Sequence, residues 1–179
     1  MATSSDSGRF FFALWPEPEL AGQIQRTVAT PLASCDGKKV PLENYHITLA
    51  FYGRAGTDKL ACLQQVAGMV RGEPFVLSLT TLGYWPKPRV IWLAPIGLPE
   101  ALIALQAELS RVLAAHCGYQ AEKRPYFPHL TLTRKSHRGP QQQAIPPLRW
   151  SVSQFALVQS ITHPEGAEYK VLKQWPLLD

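Results

Sequence analysis

His46-Ile47-Thr48-Leu49-Ala50-Phe51 and His129-Leu130-Thr131-Leu132-Thr133 are the two stretches on which the reading of this 179-residue chain turns. Both alternate polar or small residues with apolar ones, the pattern of a half-buried strand. In a strand, residues i and i+2 point to the same side, so His46 and Thr48 share one face while Ile47, Leu49 and Phe51 share the other. The same parity sets His129 and Thr131 against Leu130 and Leu132. Each strand is expected to pack an aliphatic face into a core and to present an imidazole and a hydroxyl on the opposite side.

Working outward, Arg9 to Trp15 reads as a buried strand halted by Pro16 and Pro18, and Glu17 to Thr27 as a helix carrying Leu20, Ile24 and Val28 on one face. Pro31 to Asn44 is loop-like, with a turn at Asp36-Gly37-Lys38-Lys39. A second helix starts near Thr57 or Asp58, either of which can cap it, with Leu60, Leu63, Ala67 and Val70 as its inner stripe. Phe75 to Trp85 and Arg89 to Ala94 form two strands around Pro86-Lys87-Pro88. Pro99 to His116 is the clearest helix, apolar at Leu102, Leu105, Leu109, Val112 and Leu113 and stopped by Gly118. Phe155 to Ile161 and Tyr169 to Leu172 close the chain. Each half holds strands, one long helix and one His-x-Thr-Leu strand, which predicts a diverged duplication and a single α+β domain of two intertwined lobes spanning residues 1–179. If a pseudo-twofold axis relates the lobes, both polar faces line one groove.

Hydrophobic residues at 46% and charged residues at 17% exclude a disordered chain. No basic stretch precedes an apolar run at the start, and the longest early apolar stretch, Phe10 to Trp15, is far short of the roughly 20 residues that span a bilayer. Cys35, Cys62 and Cys117 form no C-x-x-C pair and resemble reduced thiols, so a soluble cytoplasmic protein is expected. The 18 Lys+Arg against 13 Asp+Glu give a formal charge of +5, which biases the chain toward polyanionic ligands and equally serves solubility.

The motif residues suit a cyclic phosphate. Opening one in water requires deprotonating the attacking water and protonating the departing ribose oxygen, and imidazoles with an ordinary pKa near ~6.5 can do both at neutral pH. The hydroxyls of Thr48 and Thr131 can donate to the non-bridging oxygens as charge develops there. One His-x-Thr on a strand is commonplace; two copies opening strands in the two halves are not. His116 suits the C-terminal end of a helix, where its charge would favour the dipole, and His137 and His163 read as loop residues. Neither motif has H-E-x-x-H or H-x-H spacing, and no Asp or Glu lies within either His-x-Thr-Leu segment, so no metal and no cofactor is expected. A G-x-S-x-G elbow, a P-loop and G-x-G-x-x-G are all absent from the sequence.

The pair His46-Ile47-Thr48-Leu49 and His129-Leu130-Thr131-Leu132 resembles the two-histidine phosphoesterase superfamily. Its surroundings are similar to the bacterial RNA 2′,3′-cyclic phosphodiesterase branch, formerly called 2′-5′ RNA ligase. The likeness extends over nearly the whole chain, through Arg9-Phe10-Phe11-Phe12-Ala13-Leu14, Arg89-Val90-Ile91-Trp92-Leu93, Phe127-Pro128-His129, Arg134, and the ending with Ser160, Gly166, Tyr169, Leu172, Trp175 and Leu177. Tyr52 departs from it, since relatives commonly carry leucine before the glycine. The resemblance implies a bilobal fold of two pseudo-symmetric antiparallel lobes with helices outside and a central groove. It also implies metal-independent hydrolysis to a terminal 2′-phosphate by a monomer, with His46 as proton donor to the leaving 3′ oxygen and His129 as proton acceptor from water. The expected partner is RNA or an oligonucleotide with a 2′,3′-cyclic end. Arg134 falls by parity on the aliphatic side and reaches the phosphate only if the strand end bends, while Tyr45, Phe127 and the tryptophans are candidates to stack a base. Two other readings stay open: 2′-5′ end joining with a ribose hydroxyl replacing water, and a non-catalytic RNA- or nucleotide-binding module.

Overall fold

A computed structural model describes residues 8–178. In chain order its elements are β1 (Gly8–Leu14), α1 (Pro18–Val28), β2 (Lys38–Lys39), β3 (Ile47–Ala55), α2 (Thr57–Ala67), β4 (Phe75–Trp85), β5 (Val90–Pro95), α3 (Glu100–Cys117), β6 (Leu130–Arg134), β7 (Leu148–Val152), β8 (Gln154–His163) and β9 (Gly166–Pro176). The strands form one antiparallel sheet in the order β7-β4-β5-β6-β3-β1-β8-β9, with β2 paired to β6. This order has the same plan on both sides of its midpoint: β6-β5-β4-β7 in one lobe corresponds to β3-β1-β8-β9 in the other. The lobes meet where β3 and β6 pair through Ile47 and Leu130 alone. Both side chains are fully buried, each burial stabilising the joint by about 1.5–3 kcal/mol.

The lobes are not the two halves of the sequence. β8 and β9, from the C-terminal end, return to complete the first lobe beside β1, so the chain interleaves. One face of the sheet packs against the helices. α1 buries Ala21, Ile24 and Val28, α2 buries Leu63, Val66 and Ala67, and α3 buries the apolar face read from the sequence together with Cys117. Gly118 ends α3 at φ 72°, a left-handed conformation that glycine adopts without steric cost. Among the described residues no helix is long and apolar enough to cross a membrane.

Several expectations are corrected. The N-cap of α2 is Gly56 with no side-chain cap, so neither Thr57 nor Asp58 plays that part. Lys38 and Lys39 form a short strand rather than a turn, because their backbone finds partners on Arg134 and Thr133. β7 was not anticipated, and His163 ends β8 instead of lying in a loop. Cys62 and Cys117 are not free thiols. Their Cα atoms are 5.9 Å apart and the sulfurs are bonded, joining α2 to the end of α3 and leaving Cys35 as the free cysteine. Fifty-five residues separate the pair, and only the packing of the two helices reveals it. Tyr52 fills its unusual position by donating from its hydroxyl to the carbonyl of Cys117 at 2.6 Å, which ties β3 to the same helix end.

Candidate active site

The Ile47–Leu130 pair fixes the site. In an antiparallel register centred there, His46 stands opposite Thr131 and Thr48 opposite His129, each pair on the face away from the core. Each imidazole therefore shares a cavity with the threonine of the other motif, although sequence spacing suggested its own. Two cavities follow this arrangement. One of about 310 Å³ is lined by His46, Thr131, Arg134, Lys38 and Tyr169, and one of about 330 Å³ by Thr48, His129, Phe127, Trp85 and Phe51.

The histidines are held alike. His46 Nδ1 donates to the carbonyl of Asn44 at 2.7 Å, and His129 Nδ1 to that of Phe127 at 2.9 Å. A carbonyl only accepts, so in each neutral ring Nδ1 carries the proton and Nε2 has the free lone pair. Asn44 is itself anchored, its side-chain amide donating to Ala167 of β9 at 3.1 Å. Tyr126 donates to the carbonyl of Thr48 at 3.1 Å, linking the approach of the second motif to the first.

Aromatic rings floor both sites. His46 stacks on Trp15 at 5.2 Å and meets Phe11 at 4.9 Å and Tyr169 at 5.2 Å. His129 meets Trp85 edge-on at 4.7 Å and Phe127 at 5.9 Å, with Trp92 behind Phe127 at 5.0 Å. Gly83 makes room for this layer, because a Cβ there would lie 2.1 Å from the Trp92 ring. Phe127 and the tryptophans were candidates to stack a base rather than to lie beneath the imidazoles, and Phe11 and Tyr169 were given no part in the site, since nothing local tells a core aromatic from one beneath an imidazole.

A bulge in each motif decides the remaining positions. Along β6, Trp92 pairs with Thr131 but Ile91 pairs with Thr133, so Leu132 is the extra residue and the parity flips beyond it. Arg134 is thereby turned onto the groove face, where it lines the His46 cavity. The aliphatic placement expected from simple alternation is corrected. Thr133 is turned inward in exchange, 1% exposed and with its hydroxyl unpartnered, a local cost of about 1–3 kcal/mol. β3 repeats the device: Ala13 pairs with Thr48 but Phe12 with Ala50, so Leu49 is the extra residue. Phe51, expected in the core, is 43% exposed and lines the His129 cavity as the counterpart of Arg134. Tyr45 shares the parity of Ile47, is 4% exposed and faces the core, so it is not available to stack a base. Phe127 shares the parity of His129 and is 46% exposed beside it.

The electrostatics depart from the ordinary imidazole assumed above. Enclosure by the rings lowers the pKa of His46 to about 4; its carbonyl partner opposes the shift, and the charges of Arg134 and His129 add to it. His129 is lowered for the same first reason, again opposed by its carbonyl, with Arg134 contributing. The three other histidines have other surroundings: His116 lies in the last turn of α3, His137 bonds Asp36, and His163 bonds Glu168 at the edge of the His46 cavity. No cluster of three or more His, Cys, Asp or Glu placed to hold a metal occurs among the described residues.

Comparison with known proteins agrees with this fold. The family model of the 2′-5′ RNA ligase superfamily matches residues 16–163. The RNA 2′,3′-cyclic phosphodiesterase of Escherichia coli (strain K12) is 36% identical over 177 residues, 97% of this chain and 98% of that protein. The enzyme of the same name from Archaeoglobus fulgidus is 34% identical, covering 92% and 98%. A phosphoesterase crystal structure superposes with a TM-score of 0.87 at 32% identity, covering 97% of this chain and 100% of that one. E. coli LigT complexed with 3′-AMP gives 0.80 at 32% identity, covering 97% and 100%. The chain belongs to the 2′-5′ RNA ligase superfamily, within its RNA 2′,3′-cyclic phosphodiesterase family.

Proposed function

We propose that His46 and His129 open the 2′,3′-cyclic phosphate at an RNA or oligonucleotide end, leaving a terminal 2′-phosphate. His129 Nε2 takes a proton from water as its oxygen bonds to phosphorus, and His46 Nε2 gives a proton to the 3′ oxygen as the P–O3′ bond breaks. The hydroxyls of Thr48 and Thr131 and the guanidinium of Arg134 hold the non-bridging oxygens. The observation that carries this reading is the antiparallel placement of two imidazoles, each with a free Nε2 and a threonine opposite, on one face at the lobe junction. The names of the relatives point the same way. Incubation with a short RNA bearing a 2′,3′-cyclic end in excess EDTA tests it, the expected product being a 2′-monophosphate. A 3′-monophosphate, a 2′-5′ joined product, or dependence on an added metal would contradict it.

Both histidines sit below the ordinary imidazole range, and this fixes the pH dependence. The productive free enzyme has one ring charged and the other neutral. Below the lower pKa both are protonated and the base is lost; above the higher one both are neutral and the acid is lost. A bell-shaped kcat/KM profile with its optimum on the acid side of 6.5 is expected. Because His46 is lowered to about 4, the form with His46 charged is the minor singly protonated form until the anionic phosphate reaches its Nε2 and favours it. The kcat profile, which reports the complex, is expected at higher pH than that of kcat/KM. Coincident profiles centred above pH 7 would contradict this account.

A further inference from the structure

The groove continues past the reacting phosphate onto a surface that the chemistry above does not use. Arg134 pairs along the backbone with Lys38 of β2 and with Val90 of β5. Lys38 and Lys39 are both exposed, as are Lys87 and Arg89 before β5 and Lys135 and Arg138 after β6. The two segments are stitched together: Ser136 N donates to Arg89 O at 3.1 Å, and Tyr84 to Ser136 O at 2.9 Å. These seven of the chain's 18 Lys and Arg residues thus gather at one end of the second lobe. None of them is ion-paired to a carboxylate among the described residues.

The acidic groups nearby are otherwise engaged. Asp36 accepts from His137 N at 2.8 Å, Arg138 N at 3.1 Å, Ser136 Oγ at 3.1 Å and His137 Nδ1 at 2.8 Å, so its charge shapes the 136–138 turn. Arg89 donates to the other nitrogen of the same His137 at 2.6 Å, which makes Asp36 a brace for a cation. Glu165 and Glu168 lie across the His46 cavity, and Glu168 bonds His163 at 2.7 Å.

Backbone conformation supplies a second observation. Among the described residues, Arg89 at φ 66° and Lys135 at φ 59° are the non-glycine residues with positive φ. Glycine or asparagine would hold either position with less strain. Both positions carry a cation instead, and both lie in this surface. Strain kept at a position where a relaxed residue is available points to a use for the side chain.

We infer that this surface, beyond Arg134 and running through Lys135, Arg138, Lys87 and Arg89, binds the phosphodiester backbone of the RNA upstream of the cyclic end. The inference rests on the proposed reaction and names the part of its substrate that the groove leaves outside. Lys135 lies four residues past Thr131 and beyond the end of β6, at most roughly 13 Å on at the ~3.3 Å rise of a strand, so the turn cations are covered by an oligonucleotide more fully than by a bound mononucleoside cyclic phosphate. Cations gathered on the adjoining turns before β5 and after β6 suit the repeating charge of a polynucleotide.

The test compares a nucleoside 2′,3′-cyclic phosphate with a five-nucleotide RNA ending in the same group, for wild type, Lys87→Gln/Arg138→Gln and Lys135→Gly, across a salt series. For wild type, log kcat/KM is expected to fall more steeply with log salt for the oligonucleotide than for the mononucleotide. In the variants that slope shrinks by roughly 0.7 per lost phosphate contact, while mononucleotide kcat/KM is unchanged. The melting temperature of Lys135→Gly is expected to be equal to or above wild type, which separates lost binding from lost folding. Equal slopes for the two substrates, or parallel losses on both, would overturn the inference. Anisotropy with a fluorescent five-nucleotide RNA reads the surface independently of turnover. If neither cyclic substrate is opened, the proposed reaction fails, and the surface still stands or falls on whether the variants weaken that binding. Equally salt-sensitive binding of a polyglutamate peptide would overturn it in favour of an acidic protein partner.

Discussion

Replacing His129 or His46 by alanine is expected to lower kcat by roughly 10²–10⁴-fold each, with the fold intact. Both rings lie on the groove face, outside the main core, so truncation removes chemistry and leaves the Ile47–Leu130 joint in place. The double variant should lose less than the product of the two single losses, because an acid and a base serving one displacement act as a unit. Circular dichroism and thermal melting of each variant separate a lost proton transfer from a lost structure. Multiplicative losses would mean that the two rings act independently.

Thr48→Val and Thr131→Val are each expected to cost up to about 10²-fold in kcat, by analogy with the removal of an oxyanion donor. Valine keeps the β-branched shape that suits a strand, so stability should barely change. Because each threonine stands opposite the histidine of the other motif, Thr131→Val should be non-additive with His46→Ala and Thr48→Val with His129→Ala. Wild-type kcat in both valine variants would exclude the hydroxyls as phosphate donors. Additivity in those two combinations, with coupling inside each motif instead, would contradict the cross-strand geometry.

Much of this arrangement is legible in the sequence, and the parts that are not share a cause. Phe75 to Trp85 appears as a strand with its bounds as read, and Pro99 to His116 as a helix shifted by one residue, because each has strong periodicity and Gly118 marks the helix end. His46, Thr48, His129 and Thr131 are brought to one face as the two-residue period requires. That period fails at Leu49 and Leu132, where the partner strands impose bulges that no local signal announces, and so Phe51 and Arg134 change sides. β7 alternates over only five residues behind a proline-rich stretch, too short a signal to stand out. The return of β8 and β9 to the first lobe, the Cys62–Cys117 bond and the aromatic floors all depend on contacts between residues distant in sequence. The lowered histidine pKa values follow from those floors.

The division of labour between the histidines is tested most directly with a cyclic phosphate whose leaving oxygen is phenolic. Such a leaving group departs without help from an acid but still requires an activated water. His46→Ala should regain most of its lost rate on this substrate, while His129→Ala should remain as impaired as on the ribonucleotide. Rescue of His129→Ala instead would reverse the two roles, and equal rescue of both variants or of neither would contradict an acid/base pair at this site.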